Sequence, residues 1–267
     1  MRIEIGARTD VGCVRDSNED NFRVVPELHL FVLSDGMGGS AHGEVASEMA
    51  VTLIVEHCQK GMNDPSLPLE GEQRIDVSYR TNLLASAIRV ANRAVHTAAS
   101  ADAELRGMGA TVVAVWLEGD KLSLAHVGDS RAYRLRDGAL DVLTRDHSLV
   151  AEQVRLGLLT QEQAEHSEYQ TILTRALGST ESVEVDVDEH VLASGDSVLL
   201  CSDGLSRMIS DDLIARTISN SQQVQETADQ LIEFAKEAGG QDNITVILLR
   251  APLPPKNWLR RIFSSSD

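Results

Sequence analysis

Five short runs of apolar or β-branched residues constrain this chain most: residues 30–33 (LFVL), 111–117 (TVVAVWL), 122–127 (LSLAHV), 197–201 (SVLLC) and 244–249 (ITVILL), set between Gly-, Asp- or Ser-bearing turns. Runs of this length read as strands, because β-branched side chains suit a pleated surface and the flanking residues favour turns. Helical periodicity fills the gaps. Val45, Met49, Leu53 and His57 recur every four residues, Leu84, Ile88, Asn92 and Val95 make a second stripe, and Val224, Ala228, Leu231 and Ala235 a third. The order is strands, two long helices, more strands, an irregular stretch, then strands, helices and a last strand. It lacks strict βαβ alternation, so an α+β layered domain with mainly antiparallel sheets is expected. At 267 residues and 42% hydrophobic content the chain can bury a sizeable core, and one large domain is expected.

Charge narrows the partners. The 24 Lys and Arg face 41 Asp and Glu, a formal net charge of −17 at pH 7, which repels a phosphate backbone and argues against nucleic acid. Carboxylates suit hard cations such as Mg²⁺ or Mn²⁺, although solubility alone accounts for most surface acids, so position has to decide. The cysteines, Cys13, Cys58 and Cys201, are odd in number and lack zinc-site spacing, which fits a reducing compartment. The opening residues carry no apolar core of signal-peptide length, and no stretch approaches the ~18 apolar residues of a membrane span. A cytoplasmic protein with no membrane partner is expected.

The acids at strand ends are the informative feature. Asp35 and Gly36 follow one apolar run, Asp203 and Gly204 follow another, Asp129 follows LSLAHVG, and Asp242 immediately precedes ITVILL. A carboxylate held at a strand terminus has its rotamer fixed by packing, so several can converge on a cation without the ordering entropy a loop demands. A glycine beside one of them lets its own carbonyl approach a metal closely. One Asp-Gly pair after a strand is ordinary turn chemistry; four such acids together weaken that reading. The segment Arg15-Asp16-Ser17-Asn18-Glu19-Asp20 adds more acids and an arginine, whose planar fork meets phosphate oxygens in pairs.

At this point the chain resembles the metal-dependent serine/threonine protein phosphatases of the protein phosphatase 2C type, particularly compact bacterial members. The matching motifs run nearly end to end: TDVGCVRDSNEDN, SDGMGGSAHGEVAS, GMGATVVAV, LAHVGDSRAYRLRDG, LTRDHSLV, LLCSDGL and GGQDNITV. The resemblance implies a four-layer α-β-β-α sandwich of two antiparallel sheets flanked by helix pairs, with residues 1–251 as catalytic domain and 252–267 as a basic, proline-containing C-terminal tail. It implies two Mn²⁺ or Mg²⁺ ions, with a third in bacterial members. Asp35 would bridge the two, Gly36 would offer its carbonyl, and Asp203 and Asp242 would complete the ligands of the first ion. Glu19 would hold the second ion directly or through water, Asp129 the third, and Asp20 would stand behind. Arg15 would grip the substrate phosphate, and a metal-bridging water would attack phosphorus.

Consequently Ser130 and Cys201 are expected to be structural. The general acid stays open between His42 and a metal-bound water, because eukaryotic relatives have a histidine where this chain has Met37. Residues 151–177 correspond to a flap near the active site or to ordinary surface helices, with His147 ordering the approach to them and His126 packed in a strand. The implied partners are phosphorylated proteins, a Ser/Thr kinase and its targets among them, and a monomer is expected. Residues 61–78 read as a surface connection between the early helices. Two competitors stand: GMGGSAHG as a dinucleotide-binding turn, which lacks an acid at the end of a second strand, and a catalytically inactive binding module, which has no use for intact acids.

Overall fold

Strands at the centre of a sandwich are covered on both faces, and therefore read as continuous apolar runs instead of alternating ones. That is the situation of the strands just named. The computed structural model describes residues 3–38 and 42–251. One sheet contains β1 (Glu4–Asp10), β7 (Arg131–Arg136), β8 (Ala139–Val142), β10 (Ser197–Cys201) and β11 (Ile244–Arg250), in the spatial order β1-β11-β10-β7-β8. The other contains β2 (Asp20–Val25), β3 (Leu30–Met37), β5 (Val112–Glu118), β6 (Lys121–Val127) and β9 (Asp186–Val191) in the order β2-β3-β5-β6-β9, with the two-residue β4 (Gly109–Ala110) on β3. Every pairing is antiparallel.

Two long helices, α1 (Gly43–Asn63) and α2 (Tyr79–Ala101), cover the second sheet. Two more, α6 (Asp211–Asn220) and α7 (Val224–Glu237), cover the first, and α3 (Leu149–Arg155), α4 (Gln161–Glu165) and α5 (Asp203–Ser206) are short. Strand alternation separates three cores. Phe31 and Leu33 point between the sheets to meet Val113, Val198 and Ile247. Leu30 and Val32 point outward to Ile54, Leu84 and Ile88 of the helices, while Leu199, Val246 and Leu248 face Ile214, Leu231 and Ile232. The result is the expected α-β-β-α sandwich.

Two details differ from the sequence reading. The buried stripe of α1 is Ala46, Ala50, Ile54 and Cys58, with Gly43, Ser47 and Val51 beside it, one residue along from the stripe expected. Small side chains let the helix settle close to the sheet, and the larger Val45, Met49 and Leu53 fill in from its flanks. The α1 helix also runs to Asn63, so the surface connection starts at Asp64. Gly61 lies within the helix, where a Cβ would fall 2.5 Å from the Leu83 side chain. The stripes on α2 and α7 are buried as expected. The basic tail at 252–267 lies outside the described residues.

Candidate metal centre

The register of β2 on β3 sets Asp20 directly opposite Asp35. Like charges facing each other across a strand pair are unfavourable unless something compensates. From the other sheet, Ser202 Oγ and Thr245 Oγ1 donate to Asp20 Oδ2 at 2.8 and 2.6 Å, pinning the sheets together at this end. In front of Asp20 lies a cavity of about 220 Å³ lined by Arg15, Glu19, Asp35, Asp129, Asp203 and Asp242.

Neither Asp-Gly pair is a turn. Gly36 continues β3, and a Cβ there would fall 2.1 Å from Gly43 O and 2.6 Å from Glu19 O. The start of α1 therefore packs directly on the strand, and the Glu19 carboxylate rests on Gly43, where helix N-terminal dipoles favour an anion. Gly204 lies within α5, where a Cβ would fall 2.0 Å from Asn243 O. Asn243 organises the opposite wall. Its Nδ2 donates to Val11 O and Ser17 O at 3.0 and 2.9 Å, and its Oδ1 accepts from Glu19 N at 2.7 Å, so it shapes the loop that presents Arg15 and Glu19. Arg15 Nη2 lies 2.8 Å from Asp242 Oδ2.

Crowding governs the electrostatics. Burial, followed by the charges of Asp20 and Asp203, holds Asp35 well above the usual carboxylate range. Burial pushes Asp20 up to about 7 against the hydroxyl bonds that favour its anion. Asp129 is pushed up to about 7 by burial and then Asp203, and burial also raises Asp203 and Glu19. Two buried carboxylate oxygens, Asp20 Oδ1 and Asp203 Oδ1, have no hydrogen-bond partner. A largely buried cluster of hard oxygen donors with orphaned lone pairs fits Mg²⁺ or Mn²⁺.

The flap segment closes one side. Ser148 pairs with Leu173, Leu149 N donates to Ile172 O, and Thr174 N donates to His147 O, so the ends of residues 149–173 are stapled beside the cavity. Between them α3 and α4 are short helices, each with a side-chain cap (Ser148 and Thr160), and Thr171 and Leu173 reach the cavity wall. The segment is thus a pair of short surface helices whose ends lie beside the cavity. His147 Nδ1 accepts from Gly128 N at 3.1 Å, and His126 stacks on it with ring centroids 4.8 Å apart.

Against known proteins, the family model described as "Protein phosphatase 2C" matches residues 14–248. The chain belongs to the protein phosphatase 2C family. Serine/threonine phosphatase stp of Listeria monocytogenes is 36% identical over 252 residues, covering 93% of this chain and 96% of that protein. The crystal structure of the Mycobacterium tuberculosis serine/threonine phosphatase PstP/Ppp matches with a TM-score of 0.81 at 36% identity, over 94% of this chain and 99% of that one. The catalytic domain of PstP in complex with two manganese ions matches at 0.78 and 36%, over 93% and 97%.

Within this 2C-family fold, the residues singled out from sequence divide into three groups. Arg15, Glu19, Asp35, Gly36, Asp129, Asp203 and Asp242 share the cavity. Asp20 stands behind it. His42 does not line it; it is the N-cap of α1, with φ at 124°. Ser130 is occupied with Thr111, the hydroxyls 2.6 Å apart, and burial pushes the Cys201 thiol up to about 12. Asn243 and Arg207 escaped the sequence reading, as did Ser202 and Thr245. Asn243 stands beside Asp242 in the GGQDNITV motif and was legible there as a second polar residue before a strand. Arg207, which bonds Asp129 and Asp203, carries no sequence signal beyond its distance of four residues from an acid.

Proposed function

We propose that this chain hydrolyses phosphoserine and phosphothreonine in proteins with the help of two divalent ions, Mn²⁺ or Mg²⁺. The observation that carries the reading is the buried, unpartnered Oδ1 of Asp203, a residue that lines the same cavity as Asp35 and Asp242. A buried carboxylate oxygen without a donor costs free energy unless a cation takes its place. Asp35, Asp203, Asp242 and the Gly36 carbonyl would hold one ion, and Asp35 with Glu19, directly or through water, the other. Bound there, the ions would acidify a water molecule and neutralise charge on the phosphoryl group.

The chain's own residues do the rest. Arg15, half-exposed at the rim and held by Asp242, is free to swing one guanidinium edge onto a phosphate dianion. Asp20, fixed by Ser202 and Thr245, orients the ligand face of β3. The Thr171 and Leu173 wall limits water on the flap side. His42 stands at the helix start, away from the cavity lining, so in this reading the leaving oxygen takes its proton from solvent. Phosphorylated proteins are the substrates, a Ser/Thr kinase and its targets the natural partners, and a cytoplasmic monomer the working form, in keeping with the acid excess. Among the described residues, no helix is long and apolar enough to cross a membrane.

The test is hydrolysis of phosphoserine, phosphothreonine and phosphotyrosine peptides with and without Mn²⁺. Turnover of the first two is expected only with metal, and Asp203→Ala should lower it by at least ~10³-fold, the scale of several kcal/mol of transition-state stabilisation. Metal-independent turnover, or none, would defeat the assignment; the latter would leave a binding module. His42→Ala should fall well short of the ~10²–10⁴-fold loss that removing a general acid brings.

A further inference from the structure

Arg207 closes α5 one turn after Asp203. Its Nη1 lies 2.8 Å from Asp203 Oδ2 and its Nη2 lies 2.9 Å from Asp129 Oδ2. The same Nη2 donates to Gln170 O at 3.1 Å, in the segment between α4 and the cavity wall. Asp203 thus divides its two oxygens: Oδ1 is buried and unpartnered, while Oδ2 belongs to the arginine. Asp129, the acid that the family resemblance assigns to a third cation, has its Oδ2 committed to the same guanidinium.

We propose that Arg207 is this site's built-in third cation: its guanidinium bridges Asp129 and Asp203 and ties the flap to them through Gln170, so the chain binds two divalent ions and excludes a third. The proposal rests on the two-ion reading above. A guanidinium stays charged at any working pH and offers a fork that spans two carboxylates at once. Its positive charge, already seated between the two acids, repels a further cation brought to the same oxygens. A free ion exchanges with solvent, whereas a side chain does not. Arg207 is accordingly a positioning residue: it holds Oδ2 of Asp203 and leaves Oδ1 without a donor, and it fixes the height of the flap.

Equilibrium dialysis of the full chain against Mn²⁺, with bound metal counted by atomic emission, tests this. Wild type should bind two ions per chain, and Asp129→Asn should also bind two, because Asp129 serves the arginine and not a metal. Arg207→Ala and the near-isosteric Arg207→Gln, each checked for folding by circular dichroism, should bind three, and Arg207→Lys two. In both neutral variants, limited proteolysis within residues 151–177 should run at least threefold faster than in wild type, since the flap loses its tie. Three ions in wild type, falling to two in Asp129→Asn, would overturn the proposal while leaving the two-ion site intact. A count that stays at two in both neutral variants, with unchanged proteolysis, would overturn it as well. Fewer than two ions in wild type would remove the two-ion reading itself and the inference with it.

Discussion

At the scale of single residues, the centre depends as much on absent side chains as on present ones. Gly36 and Gly204 each follow an aspartate, and each is glycine because a backbone carbonyl from elsewhere lies within about 2 Å of where a Cβ would be. Gly36→Ala should push β3 away from α1 and cost ~1–3 kcal/mol, the usual scale of overpacking, with at least a tenfold loss of metal-dependent turnover. Urea unfolding and a steady-state assay measure both; a variant with wild-type values would show that the contact can relax. Arg15→Ala should raise KM more than it lowers kcat, and an unchanged kcat/KM would rule out its role at the phosphate. Asp35, Asp129, Asp203 and Asp242 were legible in sequence because each lies beside an apolar run, so the strand announced the ligand; Glu19 and Asp20 came from the RDSNED segment and the family resemblance. Ser202 and Thr245 were not legible, since their roles come from bonds to Asp20, 182 and 225 positions away. Arg207 was invisible for the same reason: its second acid, Asp129, is 78 residues off.

Among the elements, those covered on both faces were easiest to read. Strands β5, β10 and β11 are buried along nearly their whole length and stood out as apolar runs. The edge strands β1, β8 and β9 mix exposed and half-buried positions, and their sequences carry no clean period of two. Helix α1 shows a subtler failure of periodicity. Its apolar residues are spread around enough of the circumference that two neighbouring stripes compete, and close approach to the sheet selected the one with the smaller side chains. Ala50 is fully buried on that stripe, so Ala50→Leu should destabilise the fold by ~1–3 kcal/mol through overpacking. A midpoint in urea equal to that of wild type would mean that α1 can shift outward freely. The flap owes its position to its ends and to Arg207, because its two short helices bury only Ala164 between them.

For the molecule as a whole, concentrating buried acids at one end of the sandwich links stability to pH and metal. Asp20 and Asp129 sit near 7 in the fold against 3.8 for an ordinary aspartate, and Asp35 and Asp203 are raised too. A carboxyl that holds its proton more tightly when folded contributes stability that is complete below about pH 4 and disappears as pH climbs through about 7. Metal-free protein should therefore melt higher at pH 5.5 than at pH 7.5. Mn²⁺ at ~100 times its Kd should add about 2.7 kcal/mol at pH 7.5, roughly 5–10 °C for a chain of this size, and less at pH 5.5 where protons compete. Calorimetry at both pH values decides it, and a metal-free Tm that rises with pH across this window would contradict the picture of mutually repelling acids.

The sheet order has one more consequence. Strand β11 lies between β1 and β10, pairing Glu4 with Arg250 on one side and Ser197 with Arg250 on the other. During synthesis, the first strand must wait until residues 244–250 have emerged before its neighbour exists, and Asp242 arrives with that neighbour. A nascent or prematurely terminated product thus has an open gap in one sheet and an incomplete cage, which makes it inert by construction instead of an unregulated hydrolase.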